Sequence, residues 1–200
     1  LYHSDLIGLL VGRMMGVRTI LWNLRCAFID LERYRISTRL VLHVCRRLSS
    51  LPEAIVSNSQ EAIRYHKALG YRNRSWHLIP NGVDPALFAP DPNARPSLLQ
   101  ELGIDSRLWK GYNPDEMPVL IGCVARFDPM KDHATLIEAA RQVLKRRRDV
   151  VFVLVGRDVE WHHPFFVHRI PPELRPYFRL LGERHDIARI MAALDIFLLT

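Results

Sequence analysis

The chain has 200 residues, 48% of them hydrophobic and 24% charged, which is ordinary for a soluble globular protein with room for one large core or two smaller ones. Its 28 Lys and Arg against 21 Asp and Glu leave a net charge of +7, a balance that favours nucleotides, phosphorylated substrates, anionic membrane or nucleic acid. Arg13 and Arg18 interrupt the most apolar stretch, so no run reaches the roughly 18 residues of a spanning helix, and no signal peptide is expected.

The chain opens on "HSDLIGLLVGRMMGVRTILW", which reads as a helix closed at Gly16 and then a short strand. From Arg33 to Leu48, an apolar stripe of Ile36, Leu40, Val41, Val44, Cys45 and Leu48 repeats at helical spacing. "EAIVSN" is a short strand. Asn58 is placed to start the next helix, with Glu61 three residues on and Gly70 as its stop. "SWHLIPNGVD" is a strand running into a turn at Pro80, Asn81 and Gly82. Between Pro85 and Pro118 the chain carries six prolines and one short helical stretch near Leu98–Leu102, a composition suited to a connection between domains.

Alternation then becomes regular. Strand Val119–Ala125 leads to a helix with Leu136, Ile137, Ala140, Val143 and Leu144 on one face. "VVFVLVG" is the next strand, followed by a Pro-rich excursion from Trp161 to Pro176 and then "FRLLG". A helix capped by Asp186 and the strand "DIFLLT" end the chain. Near-continuous apolar strands alternating with amphipathic helices predict α/β architecture, with parallel sheets covered on both faces. The reading is two doubly wound, Rossmann-like lobes: residues 1–84, a Pro-rich connection over 85–117, and residues 118–200. Both ends of the chain look cut, so both lobes are expected to be incomplete.

"RFDPMKD", Arg126 to Asp132, stands at the carboxyl end of "VLIGCVA" and at the start of a helix, where ligands of such sheets bind. Asp128, with Pro129 as first helical residue, or Asp132 can cap that helix. Free N–H groups of the first turn, Arg126 and Lys131 together suit a diphosphate, the arginine as a planar fork and the lysine as a compact charge. On seven residues alone, surface pairing of the two cations with Asp128 and Asp132 is the plainer account. Neither G-x-G-x-x-G nor a Walker-type phosphate loop is present, which argues against dinucleotide oxidoreductases and P-loop NTPases.

Taken together, "AIVSNSQEAIRYHKALGY", "LIPNGVDPALFAPDP", "LIGCVARFDPMKDHATLIEAA", "FVLVG" and "LLGERHDIARIMAALDIFLLT" resemble the family-4 (GT4) retaining glycosyltransferases of the GT-B fold, over about residues 55–200. The resemblance implies transfer of a sugar, with retained anomeric configuration, from a nucleotide diphosphate-sugar donor to an acceptor, and no tightly bound cofactor or metal. It implies that Arg126 and Lys131 grip the diphosphate as catalytic and donor-binding residues, and that Gly182, Glu183 and Arg184 line the base pocket. A tight turn with solvated charges accounts equally for Glu183 and Arg184. Arg25 stands where many relatives place a histidine facing the sugar, so its catalytic role is the point where this chain departs from the pattern. The family's acidic E-x₇-E segment is expected beyond Thr200, and the 200 residues alone are expected to lack transferase activity.

Nine histidines occur without Cys or carboxylate partners at metal-ligand spacing, so no metal site is expected, and His162, His163 and His168 read as loop residues. Cys26, Cys45 and Cys123 read as buried free thiols of a reducing compartment. Trp161, Phe165 and Phe166 are expected to pack the excursion onto the sheet. Arg33, Arg35, Arg39, Arg46 and Arg47 form a basic stretch that fits peripheral contact with anionic lipid at the inner face of a membrane, with the protein otherwise cytoplasmic. A non-catalytic nucleotide-binding α/β module is the alternative function. Nucleic acid is not expected as a partner, because no aromatic platform is interleaved with the cations.

Overall fold

Two parallel sheets organise the computed structural model, which describes residues 2–27, 35–104 and 117–200. The chain divides into two units, Leu1–Gly82 and Val83–Thr200. Arg33 and residues 105–116 of the expected connection lie outside the described residues.

In the first unit, α1 (Tyr2–Met14) precedes β1 (Leu21–Leu24), α2 (Ile36–Leu48) precedes β2 (Ala54–Ser57), and α3 (Gln60–Ala68) precedes β3 (Trp76–Leu78). The strands pair in parallel in the order β1-β2-β3. β1 alternates: Trp22 and Leu24 are buried while Leu21 and Asn23 are exposed. One core cluster results, with Tyr2 and Leu9 of α1 and Leu42 and Cys45 of α2 against Trp22, Leu24 and Ile55. A buried polar pair sits beside it. Tyr2 donates its hydroxyl hydrogen to Nε2 of His66 at 2.9 Å, and Nδ1–H of His66 donates to the Ala62 carbonyl at 2.8 Å.

Three expectations change here. α2 starts at Ile36, and Ile36 and Leu40 are 83% and 63% exposed rather than inward. The face that reaches the core is the one holding Leu42 and Cys45. The cap of α3 is Ser59, whose hydroxyl accepts from the Ala62 N–H, and not Asn58. Gly16 and Gly70 do close their helices, with φ of 73° and 94°.

The second unit begins with α4 (Ala94–Glu101), then β4 (Val119–Val124), α5 (His133–Leu144), β5 (Val150–Val155), α6 (Pro164–Arg169), β6 (Phe178–Leu180), α7 (Ile187–Ala193) and β7 (Ile196–Phe197). Strand order is β6-β5-β4-β7, all parallel. The chain thus winds outward from β4 to β6, then crosses back to the far side of β4. β5 is buried along its whole length because side chains of both parities are covered. Val150, Phe152 and Leu154 join a core with Leu136, Ile137 and Phe166, while Val151, Val153 and Val155 join another with Leu98, Leu99 and Ile190. That is the doubly wound arrangement.

α4 lies inside the stretch read as a connection, yet it is a core helix of this unit. Leu98 is fully buried, and Arg95 donates to the Pro118 carbonyl and to Asp195, which also accepts from the Leu120 N–H. Gly122 of β4 is needed for close packing, since a Cβ there would lie 2.1 Å from Leu194.

Candidate functional site

The motif after β4 is built from its own carboxylates. Asp128 caps a 3-10 turn over Pro129–Lys131 by accepting from the Met130 N–H at 2.9 Å. Asp132 then caps α5, accepting from the Thr135 N–H at 3.1 Å and from its hydroxyl at 2.7 Å. Both capping alternatives of the sequence are therefore used, one after the other. These hydrogen bonds hold both carboxyls below the usual aspartate range. Asp132 sits at φ 36°, a left-handed backbone uncommon outside glycine, and its two side-chain bonds offset the strain.

Phe127 anchors the same loop. Its ring lies 4.3 Å from His163, 4.9 Å from Phe165 and 5.6 Å from Phe166, centre to centre. The excursion expected to pack on the sheet does so through these rings, and His163 joins that packing instead of standing free in a loop. Nothing in the sequence motif singled Phe127 out, although an apolar residue between two charged ones was the available signal.

Arg126 is exposed and donates through Nη2 and Nε to Asp128 at 2.9 and 3.2 Å. Lys131 makes no ion pair among the described residues. Burial pushes the Cys123 thiol up and the nearby Lys131 ammonium offsets part of this, as it helps hold Asp128 down, and Thr200 Oγ1 donates to the Lys131 or Asp132 carbonyl, 3.1 Å from each. Lys131 thus stands where the winding of the sheet reverses, between the ends of β4 and β7, the place where open α/β sheets take ligands.

A groove of about 270 Å³ opens at the carboxyl ends of β4, β5 and β6. Arg126, Glu183 and Arg184 line it, whereas Lys131 does not. Arg184 is committed: it donates to Glu101 at 2.7 Å and bidentately to Asp186 at 2.8 and 2.9 Å. Asp186, read as a side-chain cap of α7, makes no cap bond and spends its carboxylate on Arg184 and Arg189, which hold it well below the aspartate range. Gly182 contributes backbone. Its carbonyl accepts from Gly156 N–H at 2.8 Å, and a Cβ on it would lie 2.9 Å from Glu160. Arg157 also lines the groove and was not singled out. It follows the apolar run "VVFVLVG" as Arg126 follows "VLIGCVA", so the same rule would have found it.

The first unit has its own groove, about 430 Å³, at the carboxyl ends of β1 to β3. Asn23, Asn58 and Asn81 line it with a single cation, Arg25. Among the described residues there is no cluster of His, Cys, Asp or Glu suited to a metal ion, and no helix long and apolar enough to cross a membrane. Cys45 and Cys123 are buried free thiols, and Cys26 is half-buried.

Residues 118–200 match the family model described as Glycosyl transferases group 1. The chain is 26% identical over 155 residues to the GDP-mannose-dependent monoacylated alpha-(1-6)-phosphatidylinositol monomannoside mannosyltransferase of Corynebacterium glutamicum, covering 76% of this chain and 37% of that one. It is 30% identical over 124 residues to the UDP-Gal:alpha-D-GlcNAc-diphosphoundecaprenol alpha-1,3-galactosyltransferase of Escherichia coli, covering 61% and 30%. Among solved structures, HepE from Anabaena in complex with UDP-glucose superimposes with a TM-score of 0.77 at 23% identity, over 98% of this chain and 50% of that one. WaaG, a glycosyltransferase involved in lipopolysaccharide biosynthesis, does so at 0.66 and 16%, over 94% and 54%. These neighbours share the GT-B fold with the two parallel-sheet units seen here. The chain spans about half the length of the solved neighbours and 37% or less of the two sequence relatives.

Proposed function

We propose that the protein is a family-4 glycosyltransferase that moves a sugar from a nucleotide diphosphate-sugar to an acceptor, with retention of configuration, in polysaccharide, lipopolysaccharide or glycolipid assembly. The observation that carries this reading is the pair Arg126 and Lys131, held by capped turns at the carboxyl end of β4 within the segment that matches the group 1 family.

As the bond from the anomeric carbon to the diphosphate oxygen breaks, negative charge collects on the departing nucleoside diphosphate while the sugar becomes oxocarbenium-like. Fixed cations beside that oxygen lower the barrier because they need no reorganisation as the charge develops. Lys131 supplies a compact charge at the sheet's reversal point, and Arg126 a planar fork. Arg126 must exchange Asp128 for the diphosphate. An exposed ion pair of this kind is worth about 0–1 kcal/mol, so an incoming group with two or more negative charges displaces it. Gly182, Glu183 and Arg184 are assigned to the donor side. Arg25, the single cation of the first unit's groove, is assigned to an acidic group of the acceptor.

Lipid-linked acceptors place such an enzyme at the cytoplasmic face of a membrane. Arg35, Arg39, Arg46 and Arg47 of α2, with the exposed Ile36 and Leu40 on the same helix, are assigned to peripheral contact with anionic lipid.

Titration with nucleoside diphosphates and a screen of nucleotide-sugars test the central claim. Lys131→Ala is expected to lower transfer about 100- to 1000-fold. Full activity in that variant, or product of inverted configuration by NMR, breaks the reading. The 200 residues alone are expected to bind donor without turning it over, and sugar transfer by them would overturn that part.

A further inference from the structure

Of the four charged side chains around the second unit's groove, two are engaged: Arg126 with Asp128, and Arg184 with Glu101 and Asp186. Arg157 and Glu183 are exposed, and their side chains have no hydrogen-bond or ion-pair partner among the described residues. Their backbones are neighbours. Each follows a glycine, and those two glycines are joined by the Gly156 N–H to Gly182 carbonyl bond of 2.8 Å. Opposite charges therefore leave adjacent strand ends and yet do not pair with each other. Val124, Val155 and Ile187 add apolar lining to the same groove.

We propose that this pair selects guanine, so that the donor is a guanosine diphosphate-sugar; the inference rests on the reading of the groove as a nucleotide site. Apolar lining suits the face of a base, and the two free groups suit its edges. Guanine presents two adjacent donors, N1–H and the 2-amino group, which a carboxylate accepts together. Its O6 and N7 are two adjacent acceptors that an arginine fork meets bidentately. Uracil offers one N–H between two carbonyls, whose lone pairs repel a carboxylate. Adenine sets the lone pair of N1 beside its amino group, and cytosine sets N3 beside its own. Among the common bases, guanine alone has an edge for Glu183 and an edge for Arg157.

Calorimetric titration of the protein with GDP, UDP and ADP reads this directly. GDP is expected to bind at least about 10-fold more tightly than UDP or ADP. Glu183→Gln, which keeps shape and replaces one acceptor by a donor, is expected to erase most of that ratio by weakening GDP and relieving the repulsion that weakens UDP. Arg157→Ala weakens GDP in the same sense, and Arg157→Lys, which cannot form the fork, recovers little of it. Equal affinity for GDP and UDP, or a ratio unmoved by Glu183→Gln in a protein with unchanged circular dichroism, overturns the guanine assignment and leaves the donor reading standing. Failure of every nucleoside diphosphate to bind overturns both.

Discussion

Both units end their parallel strands on a groove, and the two grooves are lined differently. The first presents three asparagines and one arginine, whereas the second presents three arginines and one glutamate. The sheets beneath differ in the same direction. β5 is buried on both faces, while β1 alternates buried and exposed residues. The second groove thus gathers its charge over a sheet whose central strand is buried on both faces.

That contrast breaks most easily at its glycines. A Cβ at Gly156 would lie 2.1 Å from the Ala125 carbonyl oxygen and 2.8 Å from the Arg126 nitrogen, both backbone atoms, so neither can step aside. Gly156→Ala is expected to cost about 3 kcal/mol in urea unfolding and to displace Arg126. Gly82, at the other groove, has nothing within 4 Å of its Cβ direction, and Gly82→Ala is expected to stay within about 0.5 kcal/mol. Equal effects would mean the second sheet is no stiffer than the first.

Acid tests the cores beneath. Burial lowers the pKa of His66 in the first unit and of His133 in the second, each partly offset by a backbone carbonyl, of Ala62 and Ala125 respectively. A lowered folded value means the unfolded chain takes up a proton that the fold refuses. Stability is therefore complete above about pH 6.5 and falls as pH drops below it, by up to about 1.4 kcal/mol per unit for each histidine. Unfolding at pH 5 to 7 should show this slope shrink in His133→Phe. A slope unchanged by that substitution would mean His133 is already protonated in the folded protein.

The smallest effect belongs to the surface of α2. Each of Arg35, Arg39, Arg46 and Arg47 replaced by Ala is expected to weaken co-sedimentation with anionic vesicles by about 1 kcal/mol. The same changes should leave neutral vesicles and nucleoside diphosphates unaffected. Anionic binding that survives removal of all four sets the membrane assignment aside.

Much of this was legible in the residues. The apolar runs of β4 and β5 announced a buried parallel sheet, and the proline after Asp128 announced a turn with a cap. What was missed depends on partners distant in sequence. Asp186 looked like a cap because its neighbours are helical. It became an ion-pair hub because α4 brings Glu101, with Arg184 and Arg189, to the same place. α4 was read as a short stretch near Leu98–Leu102 within a connection, because the prolines around it masked its start at Ala94 and its place in the core. Val41, Cys45 and Leu48 of the expected stripe do pack in the core, whereas Ile36 and Leu40 at its start face out and Leu42, outside it, is buried against α1 and β1.

The loop between β4 and α5 is pinned at three points: Asp128 on its own turn, Phe127 among aromatic rings, and Asp132 on the next helix. Such a segment is poorly suited to fold over an arriving molecule. Adjustment falls instead to the guanidinium of Arg126, which can exchange one anion for another by rotating about its side-chain bonds, in picoseconds to nanoseconds. Exchange of partners at this edge is then set by a rotamer change and not by movement of the loop.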